Sequence, residues 1–410
     1  MSANGSLAEM REAAEHDRDA SVPFACLVSA RGHSDLGRRS LMARELSLEW
    51  SAPEGVQGSS EIADMLRRAS QRAFERGAQG VLVLVTHEAA ACFDRIDVYE
   101  DWRGLPRIQM WSAREVTRTV GGEQAGVWGE PRRPVRLDAR EAFESAALKD
   151  WHASAVAKIH EAIGAGRLYQ LCLTFPVRFA PPKDPASLFA ALLARNPVDH
   201  AAWVSLPNFE LLSASPERFL SVRGRETILR PMKGTRRLEG SDEAQILREL
   251  GESIKDRAEN VMITDLARND LGRVCEPGSV RVASLFEVER YASVAQMTST
   301  VRGELRPGLD VWNALAAAFP PGSMTGAPKI EACRMIRELE QGPRGLYGGV
   351  LGWVEPNGDA EFSVVIRSLQ VRDDEARWDI GGGIVHDSRA EAEWDEAWAK
   401  FVALRALLAS

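Results

Sequence analysis

The stretch Arg230-Pro231-Met232-Lys233-Gly234-Thr235-Arg236-Arg237 sets one lysine between a proline and a glycine. Pro231 fixes its own φ and biases Arg230 towards an extended conformation. Gly234 permits a turn or a close approach of the backbone to a ligand. The apolar run Thr227 to Leu229 enters the stretch, so the chain is expected to leave a strand into a stiff corner. A lysine held there as a free amine is a candidate nucleophile for covalent catalysis. Read alone, Lys-Gly-Thr is equally a solvated turn, and its neighbours along the chain must decide.

Two later segments carry acidic stripes. Over Glu252 to Leu271, Glu252, Asp256 and Glu259 fall at i, i+4 and i+7; Ile263 continues the line and Gly272 stands where a helix would stop. Over Ala390 to Leu408, Glu393, Glu396 and Lys400 fall at i, i+3 and i+7, while Trp394, Trp398 and Phe401 form a separate apolar face. Like charges at this spacing destabilise a helix by about 0.2–0.5 kcal/mol per pair, so something must neutralise them. For either helix alone, solvent or Lys255, Arg257 and Lys400 would suffice. Two stripes facing one another would instead make a hard-oxygen site for Mg²⁺, which takes one or two carboxylates and leaves positions for water and an anionic ligand.

Groups suited to anions lie nearby in sequence. Pro320-Pro321-Gly322-Ser323-Met324-Thr325-Gly326-Ala327-Pro328-Lys329 opens an expected helix from Lys329 to Glu340, and free N–H groups at a helix N-terminus favour anions. Gly381, Gly382 and Gly383 follow the strand end Trp378–Ile380; they read either as a tight turn or as bare backbone N–H groups for a carboxylate. Tyr347 and Arg367 are polar partners for one carboxylate, Arg367 in bidentate fashion. Equally, they suit a buried hydroxyl and an ordinary ion pair.

The elements that must position these residues follow from periodicity. Helices are expected over Ser60 to Arg76, Ala147 to Ile163 and Ala186 to Ala194, and strands over Val81 to Val85, Trp203–Leu206, Phe209–Ser213 and Arg218–Val222. Leu168 to Phe179 alternates, with Gln170, Cys172, Thr174 and Arg178 on its polar side. Helices and strands mix without a regular βαβ rhythm, which predicts an α+β fold dominated by antiparallel sheet. Residues 1–20 read as a polar tail or a short exposed helix. Gly121 to Pro134, rich in Gly, Pro and charge, is the expected boundary between a first segment, 21–134, and a chemical region, 135–410.

At 410 residues with a net charge of −8 and no basic patch, the chain is not expected to bind nucleic acid. Five scattered cysteines without C-x-x-C spacing argue against a disulfide framework and for a reducing compartment. No apolar run approaches a membrane span and the N-terminus lacks an h-region, so a cytoplasmic location is expected.

As a set, the residues resemble the chorismate-utilising enzymes. Five motifs occur in order over roughly two-thirds of the chain. The first two are Ala214-Ser215-Pro216-Glu217-Arg218-Phe219 and Pro231-Met232-Lys233-Gly234-Thr235. The third is Lys255-Asp256-Arg257-Ala258-Glu259-Asn260 running into Asp265-Leu266-Ala267-Arg268-Asn269-Asp270-Leu271-Gly272. Gly322 to Lys329 with Arg344 to Gly349, and Gly381 to Lys400, complete the set. The resemblance implies a large antiparallel β-sandwich flanked by helices. It implies that Glu259 and Glu396 hold Mg²⁺ with Asp256 and Glu393 in support, and that Lys400 lies near the metal. Lys233 would attack the chorismate ring and Glu217 protonate the departing hydroxyl. Gln170, Gly234, Thr235, Tyr347, Arg367 and the glycines would bind substrate.

Within the family, a lysine at position 233 is similar to the 4-aminating branch; the anthranilate branch carries a small residue there. Isochorismate and salicylate synthases place a lysine base where this chain has Gln170. The resemblance also implies that ammonia comes from a separate glutamine amidotransferase subunit, since no Gly-x-Cys-x-Gly setting occurs here. Gln296 stands where family members often have His, a residue associated with loss of the enolpyruvyl side chain. A neutral amide cannot shuttle a proton there. That leaves a 2-amino-2-deoxyisochorismate synthase open beside the 4-aminating reading. Anthranilate synthase is a further alternative, and a non-catalytic chorismate-binding paralogue is one of another class.

Overall fold

The computed structural model describes residues 6–29, 40–52, 56–94, 96, 98–119, 128, 131, 145–238, 242–291, 294–401 and 404. Its layers follow from apolar alternation. Along Gly80–Val85, Val81, Val83 and Val85 join an apolar cluster under helices, while Leu82 and Leu84 join one that fills the space between two sheets.

In chain order the elements begin with α1 (Leu7–Asp19), β1 (Phe24–Val28), β2 (Leu41–Arg44), β3 (Ser47–Ser51), α2 (Ser59–Glu75) and β4 (Gly80–Val85). Next come α3 (Ala90–Asp94), β5 (Ile108–Ala113), β6 (Glu115–Arg118), α4 (Ala146–Gly164), β7 (Gln170–Phe179) and α5 (Pro185–Arg195). β8 (His200–Leu206), β9 (Phe209–Ser215), β10 (Arg218–Arg223), β11 (Glu226–Leu229) and β12 (Met232–Arg237) lead to α6 (Glu243–Glu252) and α7 (Ile254–Gly272). β13 (Arg281–Arg290), β14 (Val294–Glu304), α8 (Val311–Ala318), β15 (Gly326–Ala327) and α9 (Lys329–Leu339) follow. The remainder are β16 (Val350–Val354), β17 (Ala360–Val364), β18 (Ser368–Arg372), β19 (Glu375–Ile384) and α10 (Ala390–Ala399).

One sheet runs β15-β7-β19-β18-β9-β8-β1-β2-β6; the other runs β12-β14-β11-β10-β17-β16-β4-β5-β3, with β13 also on β14. The strand pairings are antiparallel. Between the sheets, Ala25, Val204 and Leu211 of the first meet Leu84, Trp111 and Leu351 of the second. Helices cover both outer faces. Ile62, Leu66 and Ala69 of α2 pack beside Val83, Leu220 and Leu315, and Trp394 and Trp398 of α10 pack beside Phe175 and Trp378. Each large apolar side chain so buried contributes about 1.5–3 kcal/mol. The fold is the expected α+β antiparallel sandwich with flanking helices.

The first segment is threaded through both sheets: β1, β2 and β6 lie in one, β3, β4 and β5 in the other. Apart from Trp128 and Pro131, the expected boundary at 121–134 lies outside the described residues. The N-terminal stretch is a capped helix that buries Leu7, Met10 and Ala14, not an exposed tail. All five cysteines are unpaired and buried. Among the described residues no helix is long and apolar enough to cross a membrane.

Two local expectations change. The helix read across Glu252 to Leu271 breaks at Ser253, whose extended backbone and side-chain hydroxyl cap α7 by accepting from Asp256 N at 3.3 Å. Glu252 therefore ends α6 and leaves the acidic stripe. Gly381–Gly383 lies inside β19, paired with β7, and is not a turn. The neighbouring strand β7 supplies there the backbone partners that a glycine run cannot reveal.

Candidate active site

Lys233 lies on a strand of the second sheet, not on the corner that Pro231 and Gly234 suggested. β12 pairs with β14, and the register slips between Lys233, opposite Met297, and Thr235, opposite Gln296. Gly234 fills that bulge at φ 79°, where a β-carbon would be strained. A bulge re-aims the side chains beside it. Lys233 is thereby a wall residue of a cavity of about 190 Å³ between the sheets, shared with Glu217, Glu259, Tyr347, Arg367 and Glu396.

The facing wall is β19. Cys172 of β7 is paired with Gly383, and Thr174 with Gly381. A β-carbon on Gly383 would lie 2.3 Å from Gln170 Nε2 and 3.0 Å from Lys233 Nζ, so only a bare backbone leaves room for both groups there. Gln170 is fully buried, and neither polar atom of its side chain has a partner among the described residues. A buried amide left unbonded costs about 1–3 kcal/mol, which a bound ligand would offset. Behind the same wall, a β-carbon on Gly382 would lie 3.5 Å from both Glu393 Oε2 and Lys400 Nζ and 3.8 Å from Glu396 Oε1. Lys400 Nζ donates to Gly381 O at 2.8 Å and pairs with Glu396 Oε1 at 2.9 Å.

Glu217 sits between β9 and β10, buried at 5 % exposure. Burial pushes its carboxyl up to about 7, opposed by Ser323, Lys233, the Met232 backbone and Arg367. It therefore keeps a proton near neutrality, as a general acid must. Tyr347 is buried, and burial, then Cys172 and Asp379, hold its phenol well above the usual range, so it stays a hydrogen-bond donor. Arg367 takes φ 51°, a left-handed conformation that costs a non-glycine residue about 1–2 kcal/mol. Burial lowers its guanidinium, against the pull of Tyr291 and Glu217. Thr235 lies exposed on the cavity wall, and Gly234 is half-buried.

The acidic stripes do converge. Asp256 and Glu259 of α7 and Glu396 of α10 line the cavity, and Glu393 is buried just behind Gly382. Asp256 is bound by Arg236 at 2.5 Å. Glu393 accepts from Ser388 Oγ at 2.7 Å and from Lys255 Nζ at 3.4 Å. Burial raises Glu259, opposed by Lys233 and Lys255 and reinforced by Glu396, so the two glutamates feel each other's charge. Lys400 holds Glu396 below its ordinary range. Among the described residues no three His, Cys, Asp or Glu side chains form a ready-made metal cage. Mg²⁺ does not need one: one or two carboxylates with water and substrate oxygens are enough, and Glu259 with Glu396 would fit that donor set.

Sequence reasoning missed a buried ionic frame behind the cavity. Arg344, 2 % exposed, donates to Glu340 at 2.9 and 2.6 Å, to Met324 O at 2.6 Å and to Cys172 O at 2.8 Å. Arg377 pairs with Asp379, and Gln370 reaches Asp379 at 3.3 Å. One signal was available: Asp379 sits between Trp378 and Ile380, and a carboxylate inside an apolar strand needs a cation. A larger cavity of about 750 Å³, bounded by Leu27, His200, Trp353 and Glu355, contains none of the residues singled out for chemistry.

Comparison with known proteins bears on this geometry. The chorismate binding enzyme family matches residues 61–406. The aminodeoxychorismate synthase of Streptomyces pristinaespiralis is 44% identical over 238 residues, 57% of this chain and 33% of that protein. Anthranilate synthase component 1 of Streptomyces coelicolor is 42% identical over 248 residues, 60% of this chain and 48% of that protein. In each case the chain spans less than half the length of the relative it matches. The crystal structure of anthranilate synthase component I from Streptococcus pneumoniae superposes with a TM-score of 0.74 at 23% identity, over 90% of this chain and 92% of that one.

Proposed function

The chain belongs to the chorismate binding enzymes, and on that premise we propose that it is the component I activity of an aminodeoxychorismate synthase. It would transfer an amino group to chorismate, using ammonia delivered by a glutamine amidotransferase subunit, in the cytoplasm. The observation that carries this reading is Lys233 beside Gln170 across bare Gly383, in one cavity with buried Glu217.

Lys233 Nζ bonds to ring C2 as the ring double bonds shift and the C4–O bond breaks. Glu217 gives the leaving oxygen its proton, so water departs. Ammonia then bonds to C4, the double bonds shift back and the C2–N bond to Lys233 breaks, with one proton returned to Glu217. The covalent step divides one difficult substitution into two easier ones. Arg367 and Tyr347 hold a substrate carboxylate, Arg367 as a bidentate donor. Gln170 offers an amide beside the nucleophile, where a lysine base would activate water. Mg²⁺ on Glu259 and Glu396, backed by Asp256 and Glu393, would supply positive charge for a ring carboxylate.

The test is incubation of the purified chain with chorismate, Mg²⁺ and an ammonium salt, with products identified by chromatography and mass. 4-Amino-4-deoxychorismate, absent with Lys233→Ala, is expected. Gln296 supports a second reading. It is 3 % exposed, its Oε1 has no partner among the described residues, and it lines the same cavity. A 2-amino product that keeps its side chain would favour that reading, and fluorescent anthranilate would place the chain with its Streptomyces coelicolor relative.

A further inference from the structure

Tyr347 is carried by a stretch that belongs to neither helix nor strand. Residues 344–349 are buried and irregular, and buried backbone N–H and C=O groups outside regular structure need partners from elsewhere. The turn after β4 of the second sheet supplies two: Glu88 accepts from Arg344 N at 2.7 Å, and His87 N donates to Gly345 O at 2.8 Å. Just before the stretch, Arg377 of β19 donates to Pro343 O at 2.6 Å.

Gln370 of β18 grips the same stretch from the first sheet. It is fully buried, and its one amide serves three partners. Oε1 accepts from Leu346 N at 2.7 Å; Nε2 donates to Arg344 O at 2.9 Å and to Asp379 Oδ2 at 3.3 Å. The first two partners flank Gly345, which takes φ 64°; a β-carbon there would lie 2.8 Å from Gln370 Oε1. The third partner, Asp379, stands on β19 two residues before Gly381 and lines the candidate active site, as does Tyr347. One uncharged side chain thus ties the backbone beside the tyrosine to the glycine strand. A carboxylate in its place would face Asp379 with a like charge, and an apolar side chain would leave Leu346 N and Arg344 O without this bond.

We propose that Gln370 is a positioning residue for the substrate: it fixes Tyr347 relative to β19, so that the tyrosine hydroxyl is already placed for a substrate carboxylate. This inference rests on the reading of Tyr347 as a carboxylate partner given above. A donor locked by hydrogen bonds behind it binds without first having to be ordered.

The experiment measures kcat and the KM for chorismate, at saturating ammonium, in the full chain, Gln370→Met, Tyr347→Phe and the double variant. Gln370→Met keeps the length of the side chain and removes its amide. Each single substitution is expected to raise the KM about tenfold with kcat nearly unchanged, because lost ground-state binding shows in KM. A residue that acts through the tyrosine has nothing left to lose once the hydroxyl is gone, so the double variant should be no worse than Tyr347→Phe alone. Two losses that multiply in the double variant overturn the inference and leave Tyr347 as the carboxylate partner. A KM unmoved by Tyr347→Phe overturns both. Thermal melting shows which variants are folded. If Gln370→Met does not fold, Gly345→Ala takes its place in the same comparison, since its β-carbon would displace the Gln370 amide while leaving its three partners in the chain.

Discussion

Lys255 Nζ lies 3.4 Å from Glu393 Oε1, joining α7 to α10 across the edge of the cavity. Glu259 is 3.8 Å from the same ammonium. The two acidic stripes therefore share one cation and lie side by side. Lys255 stands where a divalent cation bound to Glu259 and Glu396 would bring its own charge, so the two cations repel. Glu259→Gln and Glu396→Gln are expected to raise the half-saturating Mg²⁺ concentration by about 10–100-fold. Lys255→Met is expected to lower it. Calorimetric titration of Mg²⁺ reads both without turnover, and a titration unmoved by either Gln substitution would remove these glutamates from the ligand set.

Much of this was legible in the sequence because it is local. The two-residue alternation of Gly80–Val85 and the helical stripe of Ser59–Glu75 each report one face of one element. Lys233, Glu259, Tyr347, Arg367 and Glu396 could be picked out by type and spacing and Glu217 by the family resemblance, and the fold brings all of them to one cavity. What was not legible depends on partners distant in the chain. The lysine strand exists because β14 pairs with it, and the glycine run extends because β7 does. The Arg344–Glu340 pair is four residues apart in sequence, but its meaning comes from Cys172 and Met324, which no spacing rule connects to it.

Gly383→Ala tests the closeness of Gln170 and Lys233. The added carbon would fall 2.3 Å from the end of the Gln170 side chain, which can swing away, so the fold should survive. The amide can move only by leaving its place beside the amine. A misplacement of about 1 Å in the reacting geometry, caused by moving a group that positions it, costs about 10²-fold in rate. The expected result is that loss in kcat/KM with an almost unchanged melting temperature, measured by steady-state kinetics and thermal melting.

Glu217→Gln should act on pH dependence in two ways. The carboxyl works as an acid only while protonated, so kcat/KM for chorismate, at fixed free ammonia, should fall as pH rises through about 7. The Gln variant should lose that limb and about 10²–10⁴-fold in rate. Stability should respond too. With its ordinary value at 4.5 and its folded value about 7, Glu217 keeps a proton in the folded chain that the unfolded chain releases between those pH values. Its contribution is complete below the lower value and is lost as pH rises through the upper one, by about 3 kcal/mol. Urea melts at several pH values should show a shallower slope in Glu217→Gln. Glu88, also pushed up to about 7 by burial, leaves a residual slope of the same sign.

Arg344→Leu should be among the most destabilising single substitutions in the chain. It leaves the Glu340 carboxylate buried without its cation and removes the strap between Cys172 O on β7 and Met324 O, in the loop that carries Ser323. Removing one partner of a buried pair costs about 3–5 kcal/mol, mostly as the desolvation of the charge left behind. The cause can be isolated by adding Glu340→Gln. An amide keeps an oxygen to accept from Thr174 N and Thr174 Oγ1, as Glu340 Oε1 does, but carries no charge. The double variant should therefore melt at higher urea than Arg344→Leu alone. If it melts lower, the arginine matters for the carbonyls it straps and not for the charge it neutralises.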